Sequence, residues 1–194
     1  MAKDSPYKTL KDFAEAAKKA DKPIKYSRAA SGGTSHITPV LLADTYKLNI
    51  EDVPYNGDAD SATALLRGEV QVGSANPASL IPHHKNGTIR ILAVLSPSRL
   101  PAIPEVPTFK EAGYDLPLTA LSPIGLFAPA DAPDEAVKKI AEAMAKAAKD
   151  PEFKKDMEKM SLMPYVLVGD KFDGHMLDFA KVVGPVIKKL GLYK

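Results

Sequence analysis

The chain predicts an α/β fold with a mainly parallel sheet, and three observations carry that reading. Apolar runs of strand length alternate with amphipathic helical stretches throughout the 194 residues. Turns bearing glycine, serine or asparagine separate strand-like runs from the helices after them. Several helix starts carry Thr, Asp or Asn caps, so the two kinds of element are punctuated rather than blurred.

The elements follow in order. Thr9 and Asp12 form a capping-box pattern in which each side chain accepts an orphan N–H of the first turn, and Leu10, Phe13, Ala14 and Ala17 then share one helical face. Pro23 to Ser27 reads as a strand. The polar turn Ala30-Ser31-Gly32-Gly33-Thr34-Ser35 leads into a helix bearing Ile37, Val40, Leu41 and Tyr46. Pro39 is tolerated there only within the first turn, which sets the expected start near Ser35. Ile50 to Tyr55 is extended, and Asp58 caps a helix bearing Ala62, Leu65 and Leu66 that Gly68 ends. Val70 to Val72 is a short strand. Asn76-Pro77 pairs a cap with a proline suited to the first helical position, which opens a helix over 78–85. Ile89 to Leu95 is the strongest strand signal.

The stretch from Ser96 to Pro107 is proline-rich loop, and Thr108 with Glu111 repeats the capping-box pattern ahead of a brief helix ended by Gly113. Leu118 to Phe127 reads as extended, interrupted by Pro123. Pro133 opens a helix with an apolar stripe of Val137, Ile140, Ala141 and Met144. Asp150-Pro151 opens another, with Phe153, Met157 and Met160 inward. Tyr165 to Val168 is extended. A last helix from Asp170 carries Phe172, Met176, Phe179, Val183, Val186 and Leu190 at spacings of four and three, with a kink expected at Pro185.

Composition removes several function classes. With 26 Lys+Arg against 24 Asp+Glu the formal charge is +2, too little for a basic nucleic-acid-reading face. The absence of cysteine removes thiol nucleophiles, disulfides and thiolate metal sites. No apolar run reaches the roughly 18 residues of a membrane-spanning helix, and the first residues have no apolar core that would serve as an export signal.

The turn 31–36 is the most informative segment. It follows a strand and opens a helix, where unsatisfied N–H groups and the positive end of the dipole favour an anion. Gly32 and Gly33 allow close backbone approach, and Ser31, Thr34 and Ser35 add hydroxyls. That set suits a carboxylate; it also suits an ordinary strand-to-helix turn with hydroxyl caps. Neither the phosphate-loop pattern nor G-x-G-x-x-G is present. A hydrolase using Ser31 with His36 lacks a nucleophile elbow and separate supports for the two groups. His83, His84 and His175 read as solvated, without metal-ligand spacing. Tyr55-Asn56-Gly57-Asp58 and Gly73-Ser74-Ala75-Asn76-Pro77 are two more turns after strands. In a parallel sheet the three turns share the rim at the strands' carboxyl ends.

The order Tyr26-Ser27, Ser31-Gly32-Gly33-Thr34-Ser35-His36, Val53-Pro54-Tyr55-Asn56-Gly57 and Leu65-Leu66-Arg67-Gly68-Glu69-Val70 resembles one family. The resemblance continues through 87–94, the block Pro104-Glu105-Val106-Pro107-Thr108 to Gly113, and Phe127-Ala128-Pro129-Ala130-Asp131-Ala132-Pro133. It is to the substrate-binding receptors of tripartite tricarboxylate transporters, the Bug-type extracytoplasmic solute receptors, over nearly all of residues 5–194.

The resemblance implies a lobe of the type II periplasmic-binding-protein kind, with a mainly parallel sheet plus C-terminal helices. It also implies a non-catalytic role: closing on a small organic carboxylate and delivering it to the membrane permease subunits of the transporter, with no cofactor, metal or nucleic acid involved. Residues 5–122 correspond to the second lobe of a two-lobed receptor, and 123–194 to the return segment and C-terminal helices. The family's export signal and first-lobe segment would precede Asp4, so the chain reads as a shortened member. The intact member is periplasmic; a natural half-receptor would complete its cleft as a homodimer. The ligand-binding positions carried over are Ser31, Gly33, Thr34, Ser35, His36, Tyr55, Gly57 and Asn76. The alternative is a ligand-indifferent dimerising or effector module.

Overall fold

The computed structural model describes residues 1–117, 125–159 and 166–192. Its elements run α1 (Leu10–Lys19), β1 (Ile24–Arg28), α2 (Thr34–Tyr46), β2 (Ile50–Pro54), α3 (Asp58–Leu66), β3 (Val72–Gly73), α4 (Pro77–Lys85), α5 (Asp134–Ala147), α6 (Pro151–Lys159) and α7 (Asp170–Lys189). The three strands make one parallel sheet in the order β2-β1-β3, with Ile24 opposite Ile50, Arg28 opposite Pro54, and Tyr26 opposite Val72.

The capping box forms as the sequence expects. The Asp12 N–H donates to the Thr9 hydroxyl at 3.1 Å, and the Asp12 carboxylate accepts the Thr9 N–H at 3.0 Å. Leu10, Phe13, Ala14 and Ala17 are all buried, so α1 lays one stripe into the main core with Ile37, Leu41 and Leu42 of α2. Val183 and Val186 of α7 close that core, and the Lys189 ammonium pairs with the Asp44 carboxylate of α2. A smaller core joins Ala62 and Leu65 of α3 to Leu80 and Ile89, and a third packs Ile103 and Val106 of the proline-rich loop beneath Ile81 and Val94.

In the central strand, Tyr26, Ser27 and Arg28 are all buried, because helices cover both faces of the sheet. Successive side chains still point to opposite faces. Ser27 looks toward α3, where it donates to the Ser61 carbonyl at 3.1 Å and accepts the Ser61 hydroxyl at 2.7 Å.

Several expectations need correction. Residues 89–95 form no ladder: one antiparallel bridge joins Ile89 to Ala2, and one parallel bridge joins Val94 to Thr108. Their apolar character places them in the cores, but a strand also needs a neighbour at hydrogen-bonding distance. Residues 1–3 supply one only at the start, where the Arg90 N–H donates to the Met1 carbonyl at 2.8 Å and the Lys3 N–H to that of Thr88 at 3.2 Å. Beyond that point the sheet side faces a cavity.

Pro39 is the sixth residue of α2, past the first turn, because Gly33 rather than Ser35 sets the helix start. The Ser35 carbonyl therefore receives no helical N–H from it. Thr108 and Glu111 form their reciprocal bonds at 2.8 and 3.1 Å, yet only a turn follows before Gly113, whose φ is +86°. The short strand is Val72–Gly73 rather than 70–72. Residues 125–127 and 166–168 are not strands; 118–124 (with Pro123) and 160–165, including Met160 and Tyr165, lie outside the described residues. α7 continues through Pro185 to Lys189.

Candidate functional site

The turn from β1 into α2 is built from behind by a partly buried charge pair. Arg28, at the end of the central strand, donates Nε to Asp52 Oδ2 at 2.6 Å. It also donates Nη1 to the Ala29 carbonyl at 3.2 Å and to Ser31 Oγ at 3.0 Å. Ser35 Oγ accepts the Ala29 N–H at 3.2 Å, tying the helix start back to the strand end. Gly32 sits at φ +73°, and its N–H donates to His36 Nδ1 at 3.2 Å. A side chain at Gly32 would be strained there and would meet Leu192 at 3.4 Å.

His36 thus uses Nδ1 as an acceptor, which leaves its proton on Nε2, 3.9 Å from Asp52 Oδ2 and without a hydrogen-bond partner. Burial pushes its pKa below the ordinary value, the Arg28 charge pushes the same way, and Asp52 opposes both. The imidazole is a wedge under the turn. Ser31 and His36 share no hydrogen bond among the described residues, and each is committed to another group, which removes the geometry a hydrolase would need.

With Gly33 as the backbone cap, its carbonyl accepts the His36 and Ile37 N–H groups at 3.0 and 2.9 Å. The Thr34 and Ser35 amides, first in the helix, find no acceptor among the described residues. Both residues line a cavity of about 280 Å³ between α2, the sheet and residues 89–95. Asn76, from the turn after β3, lines it too. Asn76 Oδ1 caps α4 by accepting the Ala78 N–H at 3.0 Å, and its N–H donates to Asp58 Oδ2 at 3.3 Å, linking two rim turns. Leu10, Phe13, Leu42 and Ile91 give the cavity an apolar remainder.

The eight expected positions therefore divide. Thr34, Ser35 and Asn76 share the cavity, while Ser31, Gly33 and His36 form the scaffold behind it. Tyr55 lines a separate hollow of about 270 Å³ with Asn56, Asp60, Arg67 and Glu69, and its hydroxyl donates to the Glu69 carboxylate at 3.2 Å. Gly57, at φ +143°, caps α3 in open space and lines neither hollow.

Sequence reasoning missed three residues. Arg28 and Asp52 carry a usable signal, a cation and an anion near the ends of adjacent strands. Tyr26, read only as part of the strand and of the family pattern, lines the cavity, while its buried hydroxyl has no partner. His84 is also less solvated than expected: its Nδ1 accepts the Ile91 N–H at 3.3 Å and its Nε2 meets Glu105 at 2.9 Å. Among the described residues no group of three or more His, Cys, Asp or Glu is placed to hold a metal ion, and no helix is long and apolar enough to cross a membrane.

The parallel sheet and its flanking helices thus set Thr34, Ser35 and Asn76 around one cavity. The family model of the tripartite tricarboxylate transporter family receptor (TctC) matches residues 1–192, and the chain belongs to that family. It is 31% identical over 191 residues to the UPF0065 protein in the gbd 5′ region of Cupriavidus necator, covering 98% of this chain and 58% of that protein.

Among solved structures, it superimposes on a TctC solute-binding protein from Polaromonas with a TM-score of 0.80 at 24% identity, covering 97% of this chain and 64% of that one. A Rhodopseudomonas palustris protein solved with adipate gives 0.77 at 24% identity, covering 98% and 63%. The fold is thus of the periplasmic-binding-protein kind, and the chain spans about 60% of the length of these relatives. The family is one of solute-binding receptors, which bind without transforming what they bind.

Proposed function

We propose that this chain is the second lobe of a carboxylate receptor, with residues 5–122 forming the lobe body and 123–194 the return segment and C-terminal helices. The ligand is a small organic carboxylate, held at the rim by the Thr34 and Ser35 amides with Asn76, and the receptor feeds the permease subunits of a tripartite transporter from the periplasm. The observation carrying this reading is that Thr34 and Ser35, whose helix N-terminal amides have no acceptor among the described residues, line one cavity with Asn76. Amide dipoles at a helix start hold an anion without a full counter-charge. Ser31, Gly33 and His36 serve by shaping the turn, while Tyr55 and Gly57 belong to a neighbouring rim turn that a closing partner lobe would meet. The adipate in the R. palustris relative supports the ligand class.

Isothermal titration of the full chain with malate, adipate and citrate tests the reading. Thr34 is the first helical residue, where proline is tolerated, so the substitution removes the N–H and the side-chain hydroxyl without breaking the helix. Thr34→Pro is expected to weaken binding about tenfold, the worth of one hydrogen bond to a charged group, with the helix intact. Absence of binding to all three acids, or unchanged affinity in Thr34→Pro, overturns the proposal.

A second reading, a self-associating lobe, is supported by Phe127 and Ile140 standing 74% and 54% exposed. A dimer in light scattering with no response to any acid favours it.

A further inference from the structure

The cavity of about 280 Å³ has two unlike ends. β1 and β2 run parallel, with Ile24 opposite Ile50 where they begin and Arg28 opposite Pro54 where they finish. Thr34 and Ser35 follow the finish of β1, and Asn76 follows that of β3, so these polar lining residues gather at the strands' carboxyl ends. α2 connects β1 to β2 and therefore returns toward the start of the sheet. Leu42 lies roughly 12 Å beyond Thr34 along that helix, at a rise of about 1.5 Å per residue. Ile50, the first residue of β2, lines the same far end. Asn76 is exposed, while Phe13 and Leu42 on the wall are only 3% and 4% exposed, so the polar end meets solvent and the apolar end lies inside.

Charge is scarce along this wall. Arg90 is the one charged side chain among the described lining residues, and its Nη1 donates to the Tyr7 carbonyl at 3.3 Å. Leu42 and Ile50 offer a second carboxylate no side-chain donor, so bringing one to them costs its hydration without return. A hydrocarbon is favoured there instead, and an apolar cavity of about 150 Å³ already takes a benzene-sized solute. We propose that the solute is a monocarboxylate with an apolar body, its carboxylate at Thr34, Ser35 and Asn76 and its hydrocarbon running past Phe13 toward Leu42 and Ile50. The proposal rests on the carboxylate-receptor reading and narrows it. Adipate enters the same cavity only by carrying its second carboxylate toward the apolar end or by leaving its chain at the mouth, so it binds, more weakly than its six-carbon monoacid counterpart.

The test is titration calorimetry of the full chain with butyrate, hexanoate, octanoate and adipate. Affinity is expected to rise about fourfold per methylene from butyrate to octanoate, as apolar burial predicts. Hexanoate is expected to bind at least about tenfold more tightly than adipate. Ile50→Thr keeps a β-branched side chain for the strand and puts a hydroxyl at the apolar end; it should weaken octanoate about fivefold and leave butyrate unchanged. Adipate equal to or tighter than hexanoate, or equal affinities for butyrate and octanoate, overturns the apolar-body proposal and leaves the receptor reading standing. Octanoate affinity unchanged in Ile50→Thr overturns the placement of the hydrocarbon. If Ile50→Thr fails to fold, the wild-type series still decides. Absence of binding to every acid overturns both the proposal and the receptor reading.

Discussion

Helices α1 and α5 carry the same kind of apolar stripe and meet opposite fates. α1 buries Leu10, Phe13, Ala14 and Ala17 between the sheet and α7. α5 has no buried residue: Val137 and Ile140 stand 42% and 54% exposed, and Ala141 and Met144 are half-buried. Local sequence determines that a helix forms and which side is apolar; what covers that side is decided elsewhere. The body from residue 1 to 117 contains its own cover, with α7 folding back onto α2 to finish it. α5 presents a prepared face to solvent, as does Phe127 just before it.

Core truncation breaks this comparison most sharply. Phe13→Ala is expected to lower unfolding stability by about 3 kcal/mol, since it removes a buried ring from the main core. Ile140→Ala should cost less than about 1 kcal/mol, because half of that side chain is already in water. Urea melts followed by circular dichroism decide the point. Equal losses at the two sites would show that α5 is covered in solution.

The next effect concerns the charge pair behind the rim turn. Arg28→Met leaves the Asp52 carboxylate without its partner and releases Ser31 and the Ala29 carbonyl. A loss of about 2–3 kcal/mol is expected, below that of a fully buried pair because the Asp52 side chain is 33% exposed. A lysine at the same position, with a single ammonium, should recover only part of the loss. Full recovery by Arg28→Lys would remove the case for a forked contact.

Capping gives a smaller contrast. Thr9→Ala removes half of a reciprocal box and should cost about 1 kcal/mol. At α5 the cap residue Pro133 makes no side-chain hydrogen bond, so Pro133→Ser should instead add about 0.5 kcal/mol if its hydroxyl reaches the first-turn N–H groups. Chemical denaturation of the two variants measures both signs, and a destabilised Pro133→Ser would show that the ring conformation matters more than the missing cap.

These particulars also mark what was legible in the sequence. Thr9 and Asp12, Asn76 and Pro77, and the glycine turns announced themselves because caps and turns are local chemistry, settled within four residues. The strand-to-helix alternation predicted the parallel sheet, since each βα unit carries its own crossover. Residues 89–95 misled because apolarity reports burial, while a ladder depends on a neighbouring backbone that the segment itself cannot specify. The rim residues were visible as a set, but their directions were not. Ser31 turns to Arg28 and His36 to Gly32, which depends on how the turn is wound, and Tyr55 turns to Glu69, 14 residues along the chain. Tyr26 was hidden for a different reason: in sequence, a tyrosine with an unpaired hydroxyl looks like any buried aromatic.

The smallest expected effect is the share of one histidine, His36, in the pH dependence of stability. His36 is held below its ordinary pKa of 6.5, first by burial and then by Arg28, against the pull of Asp52. The unfolded chain therefore binds a proton more readily below about pH 6.5, and stability falls as pH drops through that value toward the lowered one. The Met1 amine, pushed down from 8.0 to about 5 by burial and by Arg90, contributes a slope of the same sign between those values. Wild type alone cannot separate the two. His36→Asn keeps an acceptor for the Gly32 N–H and removes the titration, so the difference between the two proteins isolates the histidine. Urea melts at pH 7.5 and 5.5 should show a shallower loss in His36→Asn. An identical slope in both would mean that the imidazole gains its proton in the native turn as easily as in the open chain.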